Sequence, residues 1–225
     1  MLLEFQKTDT VRHLGLLDLQ RTMQRALRRS GLPVRYSSGF NPHIVMSFAS
    51  ALSTGVPGDA ELLDVSLSGD ATQEECMQRM NRVLPPTLPV LRVRLVEDGF
   101  PKASAALEQA EYLIHLYGSD AQTIVQQVPA FLAQEEIMAL RKTKRQEVLV
   151  NIRPMLHELT ASWDEVSGVA TMNARVSFVE AATLKPDLLL SSLAAFAGVE
   201  MPGHDIRRTR LLAIRNGQPV ELIDL

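Results

Sequence analysis

Leu16-Leu-Asp-Leu-Gln-Arg-Thr-Met-Gln-Arg-Ala-Leu-Arg-Arg-Ser-Gly-Leu-Pro33 decides how the first half of the chain is read. Leu16, Leu19, Met23, Ala26 and Leu27 recur at helical spacing, which predicts a helix from about Leu17 to Ser30. Gly31 supplies a left-handed cap, and Pro33 forbids continuation. Upstream, Met1 to Lys7 alternates as a strand. Downstream, Ile44 to Ala51 and Glu61 to Leu67 read as two more strands. Thr72 with Glu75 forms a capping box for a second helix that runs to about Leu84 and stops at Pro85-Pro86. Val90 to Val96 alternates as a half-buried strand. The order βαββαβ is that of a ferredoxin-like unit.

Gly99 to Glu108, with Gly99, Pro101 and Ala103-Ser-Ala-Ala106, reads as a linker. Beyond it the alternation restarts. Tyr112 to Tyr117 is a strand, Ala121 to Leu140 is mostly helix bent at Pro129, and Glu147 to Ile152 and Val169 to Val179 are strands. Pro186 to Ala197 is a helix closed by Gly198, and Arg210 to Ile214 and Pro219 to Ile223 flank the hairpin dipeptide Asn216-Gly217. The expected fold is α+β, two ferredoxin-like domains in tandem, with residues 1–98 and 109–225 as the domains.

The chain has 225 residues, 46% hydrophobic and 22% charged, near the average for globular proteins. Its single cysteine, Cys76, rules out an intramolecular disulfide and a cysteine-ligated cluster, which needs three or four thiolates, and it fits a reducing cytoplasm. No metal or cofactor is expected of the isolated chain. No apolar run approaches the ~20 residues that span a bilayer, so no membrane partner is expected. The net charge of −3 is unevenly spread: residues 1–45 carry +4, residues 46–100 carry −4 and residues 101–225 carry −3. A basic N-terminal segment in an acidic chain suits local rather than avid polyanion binding.

Two features concentrate candidate binding chemistry. Arg21, Arg25, Arg28 and Arg29 recur at i, i+4, i+7 and i+8 on the first helix and share a face. Tyr36-Ser37-Ser-Gly39-Phe40-Asn41-Pro-His43 follows, with Gly39 and Asn41-Pro42 as turn signals and three rings able to stack on a planar group. The same residues also admit a solvated helix face and a turn whose Phe40 plugs the core. A third feature is Arg141-Lys142-Thr-Lys144-Arg145, expected as an exposed loop that either contacts phosphate or is merely solvated. No catalytic residue is assigned. The five histidines lack metal-ligand spacing, and no Walker, GxGxxG or GxSxG motif occurs. Asp18 and His43 form an acid–base pair only if the helix start meets the loop.

Phe5-x-Lys7, Arg12, Leu17-Asp18-Leu19, Arg21, Arg25 to Arg29, Leu32-Pro33, Tyr36-Ser37, Gly39 to His43, Ser47-Phe48-Ala49, Glu61 and Asp64-Val65 together resemble the bacterial radical SAM-linked family of unknown function, with Ile152-Arg153-Pro154 as a weaker match. Gly15-Leu16 stands where members carry Ser-His, and Asn151 where they carry aspartate. The resemblance implies a radical SAM protein as partner, with the radical chemistry in that other polypeptide, and RNA or a ribonucleoprotein as target. The expected role is a non-catalytic accessory protein. Two alternatives are a metal-independent endoribonuclease-like enzyme and a pure protein-interaction module.

Overall fold

The computed structural model describes residues 1–142, 146–179 and 182–225. Among them lie five α-helices and strands that pair mostly antiparallel, a mixed α/β chain. The chain divides into two compact units, Met1–Leu107 with Arg208–Leu225, and Glu108–Arg207. The expected division assigned residues 208–225 to the second half.

In the first unit, β1 (Leu2–Lys7), α1 (Leu16–Ser30), β2 (Met46–Phe48), β3 (Gly58–Val65), α2 (Gln73–Val83) and β4 (Val90–Arg94) follow in the expected order. The sheet order is β4-β1-β3, with β2 on β3, all antiparallel. α1 ends where Gly31 turns left-handed at φ 69°. The Thr72 hydroxyl accepts from Glu75 N–H while the Glu75 carboxylate accepts from Thr72 N–H, the reciprocal box expected. Leu19, Met23, Ala26 and Leu27 of α1 are buried in one core with Leu3, Phe5, Leu63 and Met80. Each fully buried large apolar side chain contributes about 1.5–3 kcal/mol, so this face, rather than helix propensity, holds α1.

Both faces of β1 are covered. Leu3 and Phe5 join that core, and Glu4 is buried as well. Glu4 accepts two 2.8 Å hydrogen bonds from Arg92 of β4, which also pairs with Glu221 and Asp224. These carboxylates hold the Arg92 guanidinium even more firmly protonated than usual. Here the C-terminal segment earns its place in the first unit. β10 (Gly203–Arg215) meets β3 in parallel at Arg208↔Gly58, and β11 (Gln218–Glu221) pairs β10 through Asn216-Gly217, whose φ values of 52° and 76° make the tight turn expected. Residues 99–108, expected as a linker, hold α3 (Ala103–Ala106), with Ala103 and Leu107 buried and Ala103 N–H donating to Asp64.

In the second unit, β5 (Gln109–Tyr117), β9 (Val169–Ser177) and β8 (Leu156–Asp164) lie side by side, antiparallel. α4 (Ser119–Leu132) and α5 (Pro186–Ala197) pack together. The helix expected over Ala121 to Leu140 stops at Leu132. Pro129 has no N–H to donate within the last turn, and Gln134-Glu135-Glu136 break the apolar face. The residues beyond form β6 (Met138–Lys142), which pairs with β7 (Glu147–Asn151) as a separate two-stranded sheet. β8 had not been assigned from the sequence: it has few apolar residues, and a bulge between Leu156 and Glu158 breaks its period.

Candidate functional site

Residues 35–45 form a hairpin. Val45 N–H donates to Arg35 C=O (2.9 Å), Ser37 N–H to His43 C=O (2.8 Å), and His43 N–H to Ser37 Oγ (3.1 Å). Arg35 N–H and Ser66 N–H tie its base to the strand after β3. Gly39, Phe40 and Asn41 make the tip. Phe40 is fully exposed, so it does not plug the core; Tyr36 is exposed as well. The His43 ring sits with Nδ1 2.9 Å from Asn41 C=O, which favours a proton on Nδ1 and leaves Nε2 as an acceptor.

The four arginines of α1 are all exposed, on the side opposite Met23 and Ser30. Arg21, Arg25 and Arg28 lie within about 60° of one another around the axis. They differ in what they do. Arg29 donates to Val83 C=O (2.9 Å), covering an orphan carbonyl at the end of α2, and Arg21 pairs with Asp18 at 3.4 Å. Arg25 and Arg28 have no hydrogen bond or ion pair among the described residues. Asp18 and His43 are each engaged elsewhere, so the acid–base pair is not assembled.

A cavity of ≈ 650 Å³ opens at the base of the hairpin, lined by Arg35, Val45, Asp64, Glu97, Phe100 and Lys102 among others. Burial pushes the Asp64 carboxyl above its usual range, against the pull of the Ala103 N–H bond. Asp70 and Asp98 also line it, so carboxylates outnumber cations there and phosphate would be repelled.

The basic run departs from the exposed loop expected of it. Arg141 and Lys142 lie in β6 rather than in a loop. Arg141 is half-buried and donates to Thr183 C=O (2.8 Å), a clamp on the backbone before α5. Lys144 and Arg145 lie outside the described residues.

Lys7, Glu61 and Arg208 form a buried charged cluster that the sequence reading did not assign. Glu61 and Arg208 are a bidentate pair, Nε–Oε1 2.8 Å and Nη2–Oε2 2.5 Å, with side chains 4% and 1% exposed. Lys7 Nζ donates to Arg12 C=O (2.8 Å) and Val56 C=O (3.2 Å), clamping two loops. Burial lowers the Lys7 pKa, Arg208 and Arg12 add to the fall, and Glu61 opposes it. Isolated charges inside the apolar patterns of β1 and β3 were the signal available. Among the described residues no group of three His, Cys, Asp or Glu side chains is placed to hold a metal, and no helix is long and apolar enough to cross a membrane.

One family match takes in the arginine helix and the hairpin together. Residues 1–186 match the family described as an uncharacterized protein conserved in bacteria (DUF2344), and the chain is a member of it. No curated protein matches the sequence. Among solved structures, one titled "Crystal Structure of a Cbf5-Nop10-Gar1 Complex" aligns over 92% of this chain and 48% of that chain, at 14% identity and a TM-score of 0.48. The chain thus spans about half of the protein it aligns with.

Proposed function

We propose that the chain is a non-catalytic RNA- or ribonucleoprotein-binding protein that uses the α1 arginines and the 36–43 hairpin. The observation that carries the reading is Phe40: a fully exposed aromatic held at the tip of a hydrogen-bonded hairpin. Held in water at the hairpin tip, the ring adds nothing to the core, and every base offers a face for it. Arg25 and Arg28, free of protein partners, supply phosphate contacts without base readout. The first unit, with its β4-β1-β3-β2 antiparallel order, is read as ferredoxin-like. The tandem arrangement, a cytoplasmic location and a radical SAM protein as partner belong to the same proposal, the last resting on the family resemblance. With Cys76 buried and its thiol pushed up by burial, the radical chemistry is assigned to that partner.

The test is anisotropy titration of a fluorescein-labelled, mixed-sequence single-stranded RNA across a salt series. The Arg25→Gln/Arg28→Gln variant is expected to bind more weakly, with a salt slope flatter by up to ~1.4, at ~0.7 per phosphate released. A normally folded variant with unchanged affinity and slope refutes RNA contact by this face.

A further inference from the structure

The second unit holds a groove of ≈ 370 Å³ between β6 and the outer stripe of α5, lined by Met138, Leu140, Leu188, Ser192 and Phe196 among others. It belongs to the second unit, whereas the arginine helix and the hairpin belong to the first. Three properties of the groove point to the same occupant.

The first is its open strand. Ile152 N–H donates to Ile137 C=O (2.8 Å), so in the β6/β7 register the ladder bonds fall on the pairs 137/152, 139/150 and 141/148. The N–H and C=O groups of Met138 and Leu140 therefore point away from β7, and among the described residues nothing bonds to them. A two-stranded ribbon is marginal alone, and an unpaired edge is a template for a further strand.

The second is an apolar face that water touches. Met138, Leu140 and Leu149 share one side of the ribbon and are 50%, 48% and 59% exposed, while Ala139 on the other side is buried. Phe196, 40% exposed, stands at the end of the groove beside Phe131.

The third is charge. The bond from Arg141 to Thr183 C=O sets the end of β6 beside the start of α5, so the two elements run antiparallel. The exposed Glu135 and Glu136 stand in the chain between Gln134 and Ile137, which line the groove, and Ala195 and Phe196 bring the C-terminal end of α5 to it. Carboxylates and a helix C-terminus both favour a cation. At the start of α5 the exposed Lys185 and Asp187 stand two residues apart with opposite charges, so that end has no net sign.

We propose that this groove docks an extended peptide of a partner protein, added as a strand along the free edge of β6. The peptide carries alternating apolar side chains over about five residues, the length of β6, with a basic residue at the Glu135/Glu136 end. Main-chain hydrogen bonds provide the register, and the apolar face and the Glu135/Glu136 end provide the selectivity.

A random-peptide display library panned on the full chain, followed by anisotropy of the labelled winners, tests it. The expected winners are extended apolar sequences with a basic residue at one end. Their binding falls about tenfold or more with Ala195→Arg, which blocks the groove from an exposed helix position, and when alternate peptide nitrogens are N-methylated. Glu135→Lys/Glu136→Lys, exposed and outside the core, is expected to select acidic residues at that end. Three outcomes overturn the proposal: no sequence enriched above the bare support, winners indifferent to Ala195→Arg and to N-methylation, or a concentration-dependent dimer abolished by Ala195→Arg, which gives the groove to a second copy. Circular dichroism of each variant separates these from misfolding.

Discussion

Gly58→Ala is a one-carbon change with a large expected cost. A Cβ on Gly58 would stand 2.4 Å from Glu61 Oε1 and 2.7 Å from its Cγ, closer than atoms approach. An exposed glutamate would swing aside at little cost. Glu61 is 3% exposed, and its carboxylate is the bidentate partner of the buried Arg208, so displacing it strips that guanidinium of two charge-assisted hydrogen bonds. Breaking a buried pair by removing one partner costs about 3–5 kcal/mol, a large share of a typical stability of about 5–15 kcal/mol. Glu61→Gln, which keeps the shape but removes the charge, should cost a comparable amount. The double variant should cost clearly less than the two single costs together, because both remove the same interaction. Equilibrium urea unfolding followed by circular dichroism measures all three. A Gly58→Ala protein within about 1 kcal/mol of the parent, or strictly additive losses, refutes the reasoning.

Phe40→Ala should weaken RNA binding by about 1–3 kcal/mol, roughly 5- to 150-fold if one base stacks on the ring, and leave thermal stability unchanged because the ring touches no core; a loss of stability instead would make the ring structural. Cys76, buried and with its thiol pushed up first by burial and then by Glu75, should react with a thiol reagent at the rate of unfolding rather than as a free thiolate, which a denaturant-dependent labelling rate checks. His157, its Nε2 2.9 Å from Ser177 Oγ, has its pKa lowered by burial and by Arg175. The unfolded chain then binds the proton more readily, so stability should fall as pH drops from the ordinary value of 6.5 toward the folded pKa. His157→Gln should flatten that fall in unfolding curves between about pH 7.5 and 5.

The first unit was legible because local signals agreed with the tertiary outcome. The α1 stripe, Gly31, the Thr72/Glu75 box and Asn216-Gly217 each dictate their own conformation within a few residues. The second unit hid where local signals conflicted. Met138-Ala-Leu140 alternates, yet it follows an apolar helix closely enough to pass as its last turns. Leu156 to Asp164 is a strand through its pairing with β9 rather than through its own pattern. Phe40 carried the same local text whether buried or exposed, so only the hairpin geometry decided. Arg141 looked like part of a cationic loop, and what claimed it was a carbonyl 42 residues away. The Glu61–Arg208 pair lies furthest from any local reading, its partners being separated by 147 residues.

That separation bears on how the protein is made. The first unit is interrupted: the chain leaves it after Leu107 and rejoins it at Arg208. A chain emerging from the ribosome displays β1 to β4 early, with Lys7 beside Glu61 but its bidentate partner Arg208 not yet synthesised. The remaining residues take roughly 6–24 s to add at about 5–20 residues per second. Residues 108–207 form an unbroken stretch and can close on themselves meanwhile. The order of completion therefore reverses the order of the chain. An N-terminal fragment ending near residue 107 should therefore be less stable than the whole first unit, because Glu61 then lacks its two hydrogen bonds from Arg208.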